Sequence, residues 1–146
     1  MMDKCIFCKI IAGEIPAHKI YESKHFIAML DVNPVIAGHV IIVTKRHTKT
    51  IHTLNPEECK ELGVAMHAVS KKLEKKFGSH LTMSNSSGEW ASQSVNHFHI
   101  HMIPRTKNDR LWNEDQSRIV LDKSSGFERL NMTIEELEKM ADELKV

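Results

Sequence analysis

Hydrophobic and polar positions change period several times along this 146-residue chain. Residues 19–22, 26–32 and 39–44 are short and rich in β-branched or aromatic side chains. Glu22-Ser23-Lys24, Asn33-Pro34 and Ala37-Gly38 separate them as turn signals, so the segments read as strands of an antiparallel meander. The period then lengthens. Asn55-Pro56-Glu57-Glu58 combines an N-cap residue, proline at the first helical position and glutamate at the third, a strong helix start, and Gly78 supplies the stop. Between them Cys59, Leu62, Met66, Val69, Leu73 and Phe77 recur every three or four residues, which predicts a long helix with one side on a sheet. Lys71, Lys72, Lys75 and Lys76 are expected in solvent, and Cys59 is expected as a small buried hydrophobe.

Residues 81–85 and 94–104 read as a fourth and fifth strand, joined by a polar loop through Ser87-Gly88-Glu89. Near the end, Thr133 and Glu136 form a capping-box pattern ahead of Ile134, Leu137, Met140 and Leu144, predicting an amphipathic tail helix. Residues 107–130 are charged and weakly patterned and are expected to form an extended arm. The sum is an α+β fold: a five-stranded antiparallel sheet, one long helix, a short helix at the N-terminus, and a C-terminal arm ending in a helix.

Composition narrows the function classes. With 41% hydrophobic and 27% charged residues the chain has the balance of one globular domain. The apolar run near Met1–Ala12 is broken by Lys9 and is far shorter than the ~20 residues of a bilayer span, so a cytoplasmic protein is expected. A net charge of +1 leaves no basic stripe for a nucleic-acid polymer, although the mildly cationic first part suits a small anionic ligand. Three cysteines, Cys5, Cys8 and Cys59, argue against a disulfide framework. The Cys5/Cys8 C-x-x-C spacing fits metal binding, redox use or free thiols. A thioredoxin-like role fails because no strand precedes the pair.

The strongest chemical signal is His97-Phe98-His99-Ile100-His101-Met102-Ile103. In a strand this alternation places three imidazoles on one face and Phe98, Ile100 and Met102 on the other. A helix would spread the same rings over about 200° of arc. Unperturbed imidazole titrates near ~6.5, so a neutral nucleophile and a proton-donating neighbour can coexist on one strand.

These residues resemble the His-φ-His-φ-His-φ-φ signature (φ apolar) of the histidine-triad nucleotide-binding family. The likeness extends from Cys5-Ile6-Phe7-Cys8-Lys9-Ile10-Ile11 and Glu14-Ile15-Pro16-Ala17, through Gly38-His39-Val40, to Gln93-Ser94-Val95 and Ile103-Pro104-Arg105. It implies that residues 1–105 form the catalytic domain and 106–146 an extension on the same domain or on a partner subunit. It also implies attack by His99 on an α-phosphorus, a nucleotidyl-histidine intermediate and its hydrolysis by water, one hard displacement becoming two easier ones. By the same resemblance His101 donates to phosphate oxygens, Ser94 and Gln93 serve the leaving-group side, Asp31 accepts from ribose hydroxyls and Asn85 lies near the phosphate. Phe7, Ile10, Met29, Leu30 and Val32 then wall the base pocket, although each also suits an ordinary core. The implied substrate is a purine nucleoside phosphoramidate or related monophosphate adduct, and the implied assembly is a homodimer.

In the zinc-bearing branch of that family, positions similar to Cys5, Cys8, His47 and His97 hold a structural zinc. Lys45-Arg46-His47 fits the Lys-x-His segment whose histidine completes the four ligands there. A filled four-ligand site braces and does not catalyse. The chain departs from the pattern at Ser92, where many relatives carry glycine, and in a slightly long loop containing Trp90, which either stacks on a leaving group or packs on a partner subunit. His18, His25, His39, His52, His67 and His80 share no spacing and read as structural or surface residues, His39 with a hydrogen bond in its turn. Alternatives are a dinucleoside polyphosphate hydrolase, a zinc-stabilised nucleotide-binding module with little turnover, and a catalytic metal held by the triad itself.

Overall fold

The structure is a computed structural model and describes residues 4–111 and 129–146. Helix α1 (Ile6–Ile11) leads into strands β1 (Lys19–Glu22), β2 (Phe26–Leu30) and β3 (Val40–Thr44), then helix α2 (Pro56–Phe77), β4 (Leu81–Ser84), β5 (His99–Pro104) and helix α3 (Ile134–Leu144). The strands form one antiparallel sheet in the order β1-β2-β3-β5-β4. The expected α+β class, with its long, N-terminal and tail helices, is what the chain adopts.

Alternation sorts the sheet into two faces. Phe26, Ala28 and Leu30 of β2, Val40 and Ile42 of β3, and Ile100 and Met102 of β5 meet Leu62, Ala65, Val69 and Leu73 of α2 in the main core. Each Leu or Val fully buried there stabilises by roughly 1.5–3 kcal/mol. The other face carries Ile27, Met29, Ile41 and Val43, covered by Phe7 and Ile10 of α1. Leu30 is therefore on the helix side, not beside the proposed base pocket. One position of strand parity separates it from Met29.

Helix α2 starts with the full capping box: Asn55 accepts from the Glu58 N–H at 2.9 Å, and Glu58 accepts from the Asn55 N–H at 2.9 Å. The buried stripe begins at Glu58, whose carboxylate is 1% exposed and receives two hydrogen bonds from Arg46. Cys59, next to it, is exposed, contrary to expectation. Gly38 explains how the sheet closes against the end of α2: its φ is +86°, and a Cβ there would lie 2.5 Å from the Phe77 ring.

Several predicted boundaries were too generous. Strand β5 begins at His99 rather than residue 94, and His97 sits in the bend before it. Strand β2 stops at Leu30, so Asp31 opens a turn in which its Oδ1 accepts from the Asn33 N–H at 2.8 Å. The tail helix has both capping-box bonds, and Leu137, Ala141 and Leu144 join the main core. The Val146 N–H donates to the Ile20 carbonyl at 2.9 Å, tying this tail to β1. Most of the expected extended arm lies outside the described residues.

Candidate active site and metal centre

Strand β5 pairs His99 with Val43 and His101 with Ile41, while Ser84 of β4 faces His101 from the other side. This interior position, between β3 and β4, turns the His99 and His101 rings away from α2 and together, with centroids 5.1 Å apart. Phe7 meets the His99 ring edge-on at 5.2 Å.

Hydrogen bonds assign each ring its tautomer. His99 Nδ1–H donates to the His97 carbonyl at 2.7 Å, so Nε2 keeps its lone pair. Burial lowers the His99 pKa, and this outweighs the hydrogen bond to His97 and the charge of Asp31. The Val35 N–H donates to His39 Nδ1 at 3.2 Å, which places the His39 proton on Nε2. His39 Nε2–H donates in turn to His101 Nδ1 at 2.8 Å, leaving His101 with an Nε2–H donor. Burial first, then repulsion from His99 and Arg129, pushes His101 down to about 3. His39 lies well below the ordinary imidazole range because it is buried, with His101 and Arg129 adding to the effect. At neutral pH the cleft thus holds a neutral acceptor beside a neutral donor.

His39 is the functional contact that sequence reasoning missed. Its turn hydrogen bond was expected, but its second partner stands 62 residues further on.

Flanking residues brace the site. Asn85 Nδ2 donates to the His99 carbonyl at 2.8 Å and its Oδ1 accepts from Ser87 Oγ at 2.8 Å. Gln93 is a loop clamp: its Oε1 accepts from the Gly88 N–H at 2.8 Å and its Nε2 donates to the Lys49 carbonyl at 2.6 Å. Ser94 is exposed on the same loop, and Trp90 is fully exposed. Ser92 has φ +60°, a left-handed conformation in which glycine carries no Cβ penalty. The glycine that the family resemblance leads one to expect at this position would adopt it freely. Phe7, Ile10 and Met29 line the site-side cluster, Val32 is 55% exposed beyond the strand end, and Asp31 Oδ2 lies 3.7 Å from His39 Nδ1.

The second constellation also assembles. One ligand atom from each of Cys5, Cys8, His47 and His97 lies within 4.8 Å of every other. Cys5 Sγ is 3.3 Å and Cys8 Sγ 3.6 Å from His97 Nδ1, and Cys8 Sγ is 3.2 Å from His47 Nδ1. Metal–ligand bonds of about 2.0–2.3 Å at tetrahedral angles require ligand separations of about 3.3–3.8 Å, so the spacing fits a four-coordinate cation. His97 Nε2–H donates to the Thr44 carbonyl at 2.7 Å, directing the Nδ1 lone pair at the thiols, as an outer-shell partner does. Burial and the neighbouring Cys5 push the Cys8 thiol up to about 11, a cost that a bound cation would reverse. The three triad rings do not converge on one metal, since His97 faces the cysteines and His99 spends Nδ1 on a carbonyl. The Asp31, His39 and His101 cluster contains a direct imidazole–imidazole hydrogen bond, shorter than two ligands of one ion require.

The fold is similar to that of a zinc-bound histidine triad family protein from Mycobacterium smegmatis. That structure is 26% identical, covers 99% of this chain and 95% of its own, and has a TM-score of 0.74. The HIT domain model matches residues 12–108, and the chain belongs to the HIT domain family. Among its relatives, Protein hit of Bacillus subtilis is 39% identical over 104 residues, covering 70% of this chain and 72% of that protein. Adenosine 5′-monophosphoramidase hnt1 of Schizosaccharomyces pombe is 34% identical over 106 residues, covering 72% and 77%. Among the described residues no helix is long and apolar enough to cross a membrane.

Proposed function

We propose that this protein is a hydrolase of nucleoside phosphoramidates and related nucleoside monophosphate adducts, acting through a nucleotidyl-His99 intermediate. The observation that carries the reading is the pair of fixed tautomers: the His97 carbonyl holds His99 Nδ1–H, and His39 holds His101 Nδ1. His99 Nε2 bonds to the α-phosphorus as the P–N bond to the leaving amine breaks. His101 Nε2–H donates a hydrogen bond to the phosphoryl oxygens as charge gathers on them, and the departing nitrogen takes its proton from solvent water. Water then attacks the phosphoramidate on His99 and regenerates the imidazole.

Asp31 accepts from the ribose hydroxyls, and Phe7, Ile10, Met29 and Val32 border a purine. Asn85 and Gln93 act by bracing β5 and the phosphate-side loop, and Ser94 reaches the leaving group. The phosphoramidase relative of S. pombe supports this substrate class. We place the protein in the zinc-bearing branch: Cys5, Cys8, His47 and His97 hold a structural zinc that ties α1 to the segments before and after the sheet's centre. Its test is a melting curve, which zinc removal or Cys8→Ala lowers; an unchanged midpoint refutes it. Residues 1–105 form the catalytic unit, 106–146 its extension, and the protein acts in the cytoplasm as a homodimer. Light scattering giving a mass near 16.7 kDa refutes the dimer.

The decisive assay is single turnover of adenosine 5′-phosphoramidate with an alkaline quench that preserves a phosphoramidate on histidine. Labelled nucleotide appears on His99, and His99→Ala loses several decades in rate. Equal turnover by that variant removes the assignment. Product analysis with a dinucleoside polyphosphate separates the two leaving-group classes.

A further inference from the structure

Helix α1 has six residues, far fewer than the ~12–15 at which a helix is stable by itself in water, and its N-cap residue Cys5 makes no side-chain capping bond. What it touches must therefore hold it in place. Phe7 and Ile10 are buried against Ile27, Met29, Ile41 and Val43, on the sheet face that carries the site. Cys5 and Cys8, three residues apart and so on one side of the helix, bring their thiols to His97 Nδ1, and Cys8 also reaches His47 Nδ1.

Phe7 lies between the two thiols in the chain and against two histidines in space. Its ring stands edge-on to His97, with centroids 5.6 Å apart and planes at 89°, and to His99, with centroids 5.2 Å apart and planes at 60°. His97 belongs to the cluster suited to a cation, and His99 is the proposed nucleophile. A cation that fixes Cys5 and Cys8 fixes the turn that carries Phe7, and a base packed on Phe7 restrains the same turn from the other side. Each occupant orders what the other needs ordered, which is the condition for positive coupling without direct contact.

We propose that the metal site and the nucleotide site are coupled through Phe7: a cation held by Cys5, Cys8, His47 and His97 pre-orders the wall on which the base packs, and the bound base in turn strengthens retention of the cation. The proposal rests on the reading that Phe7 borders the base of a nucleotide whose phosphate lies at His99. It deepens that reading by giving the metal cluster a part in ligand affinity besides bracing the fold. Linkage makes the effect reciprocal, so the factor by which the metal raises nucleotide affinity is the factor by which the nucleotide raises metal affinity. The strength of an aromatic pair sets that factor at about three- to tenfold.

The test partitions zinc at equilibrium between the full chain and a competing chelator of known affinity, with no ligand, with adenosine 5′-monophosphate and with ribose 5-phosphate. Wild type, Phe7→Leu and Phe7→Ala are compared, each ligand at the same multiple of its Kd from calorimetry, and a protein-free mixture corrects for zinc held by the ligand. In wild type the nucleotide is expected to raise zinc affinity about three- to tenfold, and ribose 5-phosphate, which lacks the base, to leave it unchanged. Phe7→Ala loses the effect; Phe7→Leu, which keeps the apolar cover of α1 if the alanine variant fails to fold, loses most of it. Stabilisation of the fold as a whole would raise zinc retention with either ligand and would survive in the Phe7 variants. That pattern overturns the proposal, as does a wild-type partition that the nucleotide does not move. If the nucleotide does not bind wild type and no label forms on His99, the nucleotide reading itself fails and takes the coupling with it; if it binds and the zinc partition is unmoved, only the coupling is refuted.

Discussion

Acid should destabilise this protein through its neutral histidines, and His101→Gln isolates one of them. The folded pKa of His101 is about 3, against ~6.5 for an unfolded chain. Below pH 6.5 the unfolded state binds the proton and the folded state does not, so stability falls as pH falls. The loss stops growing only near the folded pKa, where both states are protonated. From pH 6.5 to 5 the difference amounts to at most about 2 kcal/mol, using ~1.4 kcal/mol per pKa unit. That is a large part of the ~5–15 kcal/mol total stability of a domain. Denaturant unfolding of wild type and His101→Gln at the same metal content, at intervals from pH 7.5 to 5, measures it. The variant starts from its own baseline because the bond to His39 is lost, but its curve should be shallower on the acid side by about one proton. Parallel curves would show that the His101 ring takes up its proton in the folded state, and the neutral-donor account of the site would be wrong.

His39→Leu should lower kcat with phosphoramidate substrates by roughly tenfold while leaving His99 labelled, because it frees the His101 tautomer without touching the nucleophile. A rate equal to wild type would refute the positioning role. Arg46→Leu strips the two hydrogen bonds from the buried Glu58 carboxylate and should cost about 1.5–3 kcal/mol in urea unfolding; no loss would show that water reaches Glu58. Gly38→Ala combines a positive φ with the 2.5 Å approach to the Phe77 ring and should cost about 1–3 kcal/mol, read as a lower melting temperature. An unchanged melting point would mean that Phe77 moves aside freely.

What could be read beforehand was whatever a short spacing encodes. The His99/His101 alternation, the Asn55-Pro56-Glu58 helix start and the Thr133/Glu136 cap are each complete within a few residues, and the structure realises each of them. The misses share a different cause. Periodicity admitted either residue 58 or residue 59 at the head of the α2 stripe, and counting apolar residues favoured Cys59. The structure buries Glu58 there because Arg46 satisfies its charge, and no hydropathy pattern records a partner on another segment. Leu30 was misplaced because a strand switches faces at every residue, so a loop-side aspartate does not reveal which neighbour faces the ligand. His39 looked like an isolated turn residue because sheet pairing of β3 with β5 is what brings it to His101. Ser92 looked like a departure from the family resemblance, and its left-handed backbone is a conformation that a glycine would adopt without a Cβ penalty.

His97 divides its labour in a way that has a wider consequence. Its main-chain oxygen steadies the attacking ring, while its own imidazole is shared between Thr44 and two thiols. Alkylation or oxidation of Cys5 or Cys8 is therefore expected to reach, through His97, the His99 ring that the proposed reaction uses. Modification of the thiols and the proposed reaction thus meet in one residue.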